Sequence, residues 1–279
     1  MDSPPNALVT GASSGIGRAA AIEFARRGFR VFAAARREDA LADLARSMPG
    51  IVAVAMDVSD PESVDRAWAK IQADTGGSGV DVLVNNAGFA LAGPIETLTA
   101  GRLERQFGTN VFGMASLIRA VLPAMRARGS GRIVNISSVV GRVSFPGMGG
   151  YSATKYAVEA ISDALRLEVA PFGIDVVLIE PSFVATAIGA SADALDVVPS
   201  PADDAYRKLI ARGRDYMAEQ VANGIPADRV ATAIADAATR RNPRPRYLVP
   251  GSARGLVAVL TALPDRLADR VKLRAIGAR

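Results

Sequence analysis

The chain has 279 residues, of which 49% are hydrophobic and 22% charged, and its formal net charge is +5. It contains no cysteine and no histidine, which excludes a disulfide framework, thiolate chemistry and the commonest general base and metal ligand. Acid–base catalysis must therefore use Tyr, Lys, Asp or Glu, and no metal site is expected.

The distribution of charge and apolar residues excludes two further classes. The arginines are interspersed with acidic residues and form no sustained basic tract, so nucleic-acid binding is a weak hypothesis. No apolar run has transmembrane length and no leader-like segment opens the chain, which predicts a cytoplasmic protein without an integral membrane segment. With no convincing linker, residues 1–279 are expected to form a single domain, with a substrate lid at about 182–224 and a C-terminal helical extension at about 253–279.

A short apolar strand at residues 7–10 leads into a glycine-rich turn, and a helix is expected at about 16–27. Glycines in such a turn allow a tight bend and a close approach of the backbone to a ligand, while the start of the helix attracts phosphate. The turn alone could be an ordinary loop. Its position between the first strand and the first helix favours pyrophosphate binding by Gly11, Ser13, Ser14, Gly15, Ile16 and Gly17.

The second predicted strand, residues 30–35, ends at two arginines. In dinucleotide-binding folds an acidic residue here bonds the ribose 2′-hydroxyl, whereas a basic residue accepts a 2′-phosphate. Arg36 and Arg37 stand at this point, and the first carboxylate is Glu38. The pattern favours NADP over NAD, with two solvated arginines at a helix start as the alternative.

Apolar strands then alternate with helical segments, which is typical of a parallel sheet covered on both faces. We expect helices at 39–48 and 61–75, strands at 51–56, 80–85 and 131–137, and a long helical region at 99–128. Ligands in such sheets bind outside the carboxyl ends of the strands, where Asp57 could bond a base or ribose and Asn86 could brace the turn. Each of these residues alone would more often be an ordinary turn residue.

Two polar residues within this region could serve the site. Asn110 lies in an apolar stretch, where its amide needs hydrogen-bonding partners, either as a structural residue or in a water relay. Ser138 follows the fifth strand, at the edge where active-site groups are expected.

Tyr151 and Lys155 stand four residues apart in a strongly helical segment, so they share one helix face. A neighbouring ammonium favours the phenolate and would lower the tyrosine pKa towards neutrality. Only four of the 33 basic residues are lysines, which makes this one an exception in an arginine-rich chain. As an isolated match, the pair would more often be a half-buried tyrosine beside a lysine that extends to solvent.

The rest of the chain is expected to complete the sheet. We predict a sixth strand at 174–179, a lid-like stretch from 182 to about 203, helices at 204–222 and 227–240, and a strand at 246–249. The last segment, 253–276, is amphipathic and interrupted by a proline. It could pack on its own domain, form a subunit contact or touch a membrane surface, and the first is favoured.

The ordered set of Thr10-Gly11, Gly15, Gly17, the Asn85-Asn86-Ala87-Gly88 turn, Asn110, Ser138, Tyr151 and Lys155 resembles the short-chain dehydrogenase/reductase family, in its compact form. The resemblance implies a Rossmann-type doubly wound α/β fold of about seven parallel strands and hydride transfer between NADP(H) and a carbonyl or secondary alcohol. It implies that Tyr151 is the acid–base group, Ser138 holds the substrate oxygen, Lys155 lowers the tyrosine pKa and grips the nicotinamide ribose, and Asn110 completes a proton relay. It extends the cofactor contacts to Val58, Ala87, Gly88, Pro181, Val184 and Thr186, although Ser182 replaces the glycine that relatives carry after the sixth strand.

Phe89, Phe145, Met148 and Phe183 flank the predicted site and suggest a moderately apolar substrate, unless they belong to the core. Relatives in this family are commonly homodimers or homotetramers through the long helices, which is the expectation here. The competing hypothesis is a catalytically silent NADP-binding sensor or scaffold.

Overall fold

A computed structural model describes residues 3–186 and 202–277 of the chain. Its centre is a seven-stranded sheet in the order β3-β2-β1-β4-β5-β6-β7, in which every neighbouring pair is parallel. The strands are β1 (Asn6–Thr10), β2 (Arg30–Ala35), β3 (Ile51–Ala55), β4 (Val82–Asn85), β5 (Gly131–Ile136), β6 (Ile174–Pro181) and β7 (Arg246–Val249). The predicted Rossmann-type doubly wound fold is confirmed.

Helices cover both faces of this sheet because successive strand side chains point to opposite sides. Val9 of β1 lies in an apolar core with α1, α2 and α8, whereas the adjacent Leu8 lies in a second core with α3, α5 and α6. The helices are α1 (Gly15–Arg26), α2 (Glu38–Ser47), α3 (Pro61–Asp74), α4 (Ala100–Phe107), α5 (Gly113–Arg128), α6 (Gly149–Val169), α7 (Ala202–Ala222), α8 (Ala227–Thr239), α9 (Ala253–Ala262) and α10 (Asp265–Ala275).

The helical region predicted at 99–128 is divided by a π-helical turn, Gly108–Phe112, between α4 and α5. Such turns insert an extra residue and often occur at functional sites. Gly113 begins α5 so close to the preceding loop that an added Cβ would stand 2.5 Å from the carbonyl oxygen of Val58. The sequence periodicity did not reveal this break.

The C-terminal segment packs on its own domain, the alternative that the sequence favoured. Val257 and Leu260 of α9 are buried against Val143, with Phe145 and Leu248 beside them. None of the helices in residues 3–186 and 202–277 is long and apolar enough to cross a membrane. Residues 187–201 of the predicted lid lie outside the described residues, and α7 occupies much of the remainder.

Candidate active site

The glycine turn after β1 is shaped by close contacts that side chains would prevent. Gly11 has φ +67° and Gly15 has φ +54°, both in the left-handed region. A Cβ on Gly17 would stand 2.4 Å from the carbonyl oxygen of Gly11 and 2.5 Å from the Nδ2 atom of Asn86. These contacts leave no room for a side chain at Gly17, so the start of α1 packs closely against the turn.

Asn86 braces this turn as predicted, and it does so together with Thr10, which the sequence reasoning did not select as a site residue. The Asn86 Nδ2 atom donates to the Thr10 carbonyl at 2.8 Å, while the Thr10 hydroxyl oxygen accepts from the backbone N–H groups of Asn86 and Ala87 at 3.0 Å each. The same hydroxyl donates to the Val84 carbonyl at 3.3 Å. A buried threonine at the end of β1 thus ties the turns after β1 and β4 together.

The start of α1 fits an anionic group. Ser14 is the N-cap residue, and its side chain makes no capping hydrogen bond. The first N–H groups of any helix lack partners inside the helix, so those of Gly15, Ile16 and Gly17 favour a negative charge. Arg37 contributes further positive charge, since its guanidinium donates to the Ser13 hydroxyl at 3.1 and 3.3 Å.

Arg36 and Asp57 lie at the ends of neighbouring strands. The Arg36 side chain is 75% exposed, and its guanidinium lies 4.0 Å from a carboxylate oxygen of Asp57. The other Asp57 oxygen accepts from the backbone N–H and the hydroxyl of Ser59, at 2.9 and 2.6 Å. Val58 is buried beside Gly113, so its side chain supports the loop.

Asn110 is fully engaged by hydrogen bonds within the protein. Its Oδ1 atom accepts from the Phe89 N–H at 3.0 Å, and its Nδ2 atom donates to the Phe89 carbonyl at 2.9 Å and to the Thr154 hydroxyl at 3.0 Å. Gly88 allows this approach, since an added Cβ would meet the Asn110 Oδ1 atom at 2.9 Å. Asn110 is therefore a structural residue that joins the loop after β4 to α6, and its part in a relay stays a prediction.

Ser138, Tyr151 and Lys155 are brought together at the carboxyl ends of β5 and β6. The Ser138 side chain lies close enough to the Tyr151 phenol to affect its pKa. The Ser138 hydroxyl also donates to the Pro181 carbonyl at 3.3 Å and accepts from the Val140 N–H at 3.3 Å. The two hydroxyls are thus held as a pair that can bind one oxygen atom of a substrate.

The Tyr151 phenol differs from expectation in its electrostatics. Burial raises the pKa of Tyr151 above its usual value, and the neighbouring Ser138 side chain opposes this shift. The Lys155 ammonium lies 5.7 Å from the phenol ring centroid and donates to the Ile136 carbonyl at 2.8 Å. The expected lowering of the tyrosine pKa by the lysine is therefore not found, because the cost of burying a phenolate is the larger effect.

Lys155 is itself perturbed by burial, since only 6% of the residue is exposed. Burial lowers the pKa of Lys155 to about 8, and the nearby carboxylate of Glu159 acts in the opposite direction. The ammonium and the neutral amine are both accessible forms at mildly alkaline pH.

A buried ion-pair network, which the sequence reasoning missed, lies behind Lys155. The Glu159 carboxylate is 2.9 Å from the Arg246 guanidinium, which is 3.4 Å from a carboxylate oxygen of Glu180. Arg142 binds the same Glu180 oxygen at 3.3 Å. Burial raises the pKa of Glu180, with a further contribution from Glu159. The sequence could have indicated that Glu159 lies near Lys155, because it follows Lys155 by one helical turn. It could not have indicated the bond between Glu159 and Arg246 of β7, which are 87 residues apart.

The remaining predicted cofactor contacts lie in the segment after β6. Pro181 ends β6, and Val184 is buried and forms an isolated parallel bridge with Ile225. The Thr186 side chain lies next to the glycine turn, since an added Cβ on Gly15 would be 3.4 Å from it. This segment therefore reaches the nucleotide-binding side of the site.

Apolar side chains pack against the Tyr151 ring. Tyr151 forms a small buried cluster with Val140 and Met148, against which Phe145 and Met217 pack. The predicted apolar residues Phe145 and Met148 are thus at the site. Phe183 instead packs edge-to-face on Tyr216 of α7, with ring centroids 6.0 Å apart.

A family model described as short chain dehydrogenase matches residues 5–195. The protein therefore belongs to the short-chain dehydrogenase/reductase family, a class of oxidoreductases. The chain is 47% identical over 180 residues to the uncharacterized oxidoreductase YbbO of Escherichia coli strain K12, covering 64% of this chain and 65% of that protein. It is 34% identical over 270 residues to an NADPH-dependent 3-dehydrocapnine reductase of Ornithobacterium rhinotracheale, covering 95% of each chain.

Solved structures agree on the fold. A short-chain dehydrogenase from Streptomyces avermitilis superimposes with a TM-score of 0.79 at 36% identity, covering 98% of this chain and 96% of that one. A Burkholderia phymatum enzyme in complex with NAD superimposes with a TM-score of 0.80 at 29% identity, covering 92% of this chain and 94% of that one. A Sphingobium yanoikuyae enzyme in complex with NADPH superimposes with a TM-score of 0.72 at 29% identity, covering 94% of this chain and 97% of that one. Relatives thus bind either dinucleotide, and no support emerges for a catalytically silent sensor.

Proposed function

We propose that the protein is an NADP(H)-dependent oxidoreductase acting on a carbonyl group or secondary alcohol of a moderately apolar small molecule in the cytoplasm. The observation that carries this proposal is the proximity of Ser138, Tyr151 and buried Lys155 on the same sheet edge as the glycine turn. The apolar cluster around Tyr151 supports an apolar substrate.

The bound dinucleotide would supply or accept the hydride, and the glycine turn with the start of α1 would hold its phosphates. Ser138 and Tyr151 would donate hydrogen bonds to the substrate oxygen, which becomes negative during reduction. Because burial raises its pKa, Tyr151 stays protonated at neutral pH and can act as the proton donor. The Lys155 ammonium would stabilise the phenolate that remains, and the reverse sequence would serve alcohol oxidation.

Removal of the phenol hydroxyl tests the acid–base assignment. Tyr151→Phe should reduce kcat/KM for a responsive ketone by about 10²- to 10⁴-fold, the usual contribution of a positioned general acid. The matched control is Tyr156→Phe on the same helix, which removes a hydroxyl that donates to the Arg142 carbonyl at 2.6 Å and does not contact Tyr151. It should change kcat/KM by no more than about threefold. A loss of less than about tenfold in Tyr151→Phe would contradict the proposed mechanism.

The cofactor proposal rests on Arg36, which is exposed at the end of β2 and whose guanidinium lies 4.0 Å from a carboxylate oxygen of Asp57. A guanidinium there can form charge-assisted hydrogen bonds to a 2′-phosphate. Fluorescence titration should show at least about tenfold tighter binding of NADPH than of NADH, and Arg36→Ala should remove that preference. Arg46→Ala, an exposed arginine of α2, is the control that should change neither affinity. Equal binding of both dinucleotides by the wild type would overturn the NADP assignment.

We further propose a homodimer through the outer faces of α5 and α6. Phe112, Leu167 and Phe172 are 62%, 73% and 42% exposed near these helices, an unusual exposure for large apolar side chains. Light scattering should give a mass near twice the 29.0 kDa of the chain, or four times for a tetramer. Leu167→Glu should shift the measured mass towards that of the monomer. A wild-type protein that already has the mass of a monomer would exclude this contact.

A further inference from the structure

The C-terminal helices α9 and α10 carry large apolar side chains that the protein does not bury. Leu256 is 62% exposed, Val259 56%, Leu267 46% and Val271 42%. Nine large apolar residues are exposed in the described part of the chain, and these four lie within sixteen residues of one another. Scattered single residues of this kind need no explanation, but such a concentration indicates a contact surface.

The inner and outer faces of α9 are both apolar. Val257 and Leu260 point into the domain, while Leu256 and Val259, three residues apart, share a neighbouring outer face. A surface helix that packs only on its own domain usually has a polar outer face. The sequence of α9 therefore provides more apolar surface than the domain uses.

Basic residues accompany these apolar side chains. Arg254, Arg266, Arg270 and Arg274 are exposed, and within residues 3–186 and 202–277 none of them forms a salt bridge. Lys272 of α10, by contrast, forms a salt bridge with Asp269 at 2.9 Å. Arg270 and Arg274 each follow an exposed apolar residue, Leu267 or Val271, by three positions, so positive and apolar groups share one face of α10.

The position of the two helices relates this surface to the candidate active site. The inner side of α9 packs against Val143 and Phe145, in the loop that follows Ser138, and Phe145 also packs against the Tyr151 cluster. Beyond α10, the Gly277 carbonyl accepts a hydrogen bond from Arg212 of α7, a helix within the predicted lid region 182–224. The surface therefore borders the side of the domain where substrate is expected to enter.

We propose that α9 and α10 form a peripheral docking surface for an anionic lipid bilayer, with Leu256, Val259, Leu267 and Val271 inserted at the interface and the free arginines bound to lipid phosphates. Helices of this composition lie in the plane of the membrane interface. Charge favours lipid over a second copy of the chain, because a two-fold contact would bring like-charged arginines of both copies together. The link to an apolar substrate rests on the proposed function, whereas the docking does not.

Vesicle co-sedimentation of the full chain tests the proposal directly. The protein should bind vesicles of phosphatidylcholine with about one-third phosphatidylglycerol much more tightly than phosphatidylcholine alone, and salt should release it. Each arginine near the surface is expected to change the partition coefficient by about fivefold. The double variant Arg270→Glu, Arg274→Glu should therefore lose at least about 25-fold in binding, and Leu256→Ser with Val259→Ser should also lose most of it.

Control variants separate docking from folding and from catalysis. Ile95→Ser removes an equally exposed apolar residue outside the two helices, and Arg46→Glu reverses an exposed charge on α2; both should bind vesicles as the wild type does. All docking variants should keep the wild-type melting temperature, NADPH affinity and activity on a water-soluble ketone. Failure of the wild type to bind anionic vesicles would overturn the proposal, as would variants that bind equally well. A lower mass for Leu256→Ser with Val259→Ser by light scattering, without lipid, would show instead that the surface is a subunit contact.

Discussion

Substitution of Gly17 by alanine should damage the nucleotide-binding turn without touching any catalytic side chain. The new Cβ would stand 2.4 Å from the Gly11 carbonyl oxygen and 2.5 Å from the Asn86 Nδ2 atom. Separations below 3.0 Å are not tolerated, so the Gly11 carbonyl must move by at least 0.6 Å. The Nδ2 atom that would be displaced is the one that donates to Thr10, so the same movement weakens the brace between β1 and β4.

The size of the effect follows from these contacts. Overpacking of a rigid site costs about 1–3 kcal/mol, and the weakened hydrogen bond adds about 1 kcal/mol. The better helix propensity of alanine offsets about 1 kcal/mol of this. The net loss of about 1–3 kcal/mol corresponds to a fall in Tm of about 2–10 °C for a chain of this size.

The assay is a thermal melt combined with a fluorescence titration of NADPH. Gly17→Ala should melt earlier and bind NADPH at least about tenfold more weakly, because the displaced carbonyl belongs to the turn that we propose holds the phosphates. Gly213→Ala is the matched control: it lies within α7, nothing stands within 4 Å of an added Cβ, and its helix should be slightly stabilised. A Gly17→Ala protein with the wild-type Tm and NADPH affinity would refute the role assigned to this turn.

Four further outcomes follow from the buried polar groups. Burial lowers the pKa of Lys155 to about 8, so between about pH 8 and 10 the unfolded chain holds this proton while the folded protein has lost it. The free energy of unfolding should therefore rise with pH over this range. Urea midpoints should show the rise in the wild type and not in Lys155→Met. Activity that needs the Lys155 ammonium should decline above about pH 8. Glu159→Gln removes the carboxylate that raises the Lys155 pKa, so pH–rate profiles should show the decline at a pH lower by about one unit. A decline at the same pH in both proteins would show that Glu159 does not affect the Lys155 pKa. Asn110→Ala leaves the Phe89 N–H without its partner and removes one of the two donors to the Phe89 carbonyl, the other being Gln106. It should cost about 2–4 kcal/mol by urea denaturation, and a loss below about 0.5 kcal/mol would argue against its structural role. Thr10→Val keeps the side-chain shape but removes the acceptor of two N–H groups, and it should weaken NADPH binding at least about fivefold, whereas unchanged binding would show that the brace is dispensable.

Much of the fold could be predicted because its signals are local. Apolar runs such as those of β1, β2 and β6 alternate with helical segments, and that alternation is typical of parallel strands with helices between them. Residues directly after such strands must meet at one sheet edge, which is why Gly11, Asn86 and Ser138 could be placed in one site from chain order alone. The four-residue spacing of Tyr151 and Lys155 likewise fixed their common helix face.

Tertiary structure alone decided the electrostatics of the site and the packing of distant segments. The spacing predicted a tyrosine pKa lowered by lysine, but the direction depends on burial and on the ammonium bonding to Ile136, neither of which is a local property. The contact between Glu159 and Arg246 joins residues 87 positions apart, and the division of the region 99–128 by a π-helical turn accompanies the close approach of Gly113 to Val58. The amphipathic pattern of the last helices was visible in the sequence. Which of their apolar side chains the domain buries and which it leaves at the surface depends on the shape of the surrounding core, because burial is a sum over contacts from the whole chain.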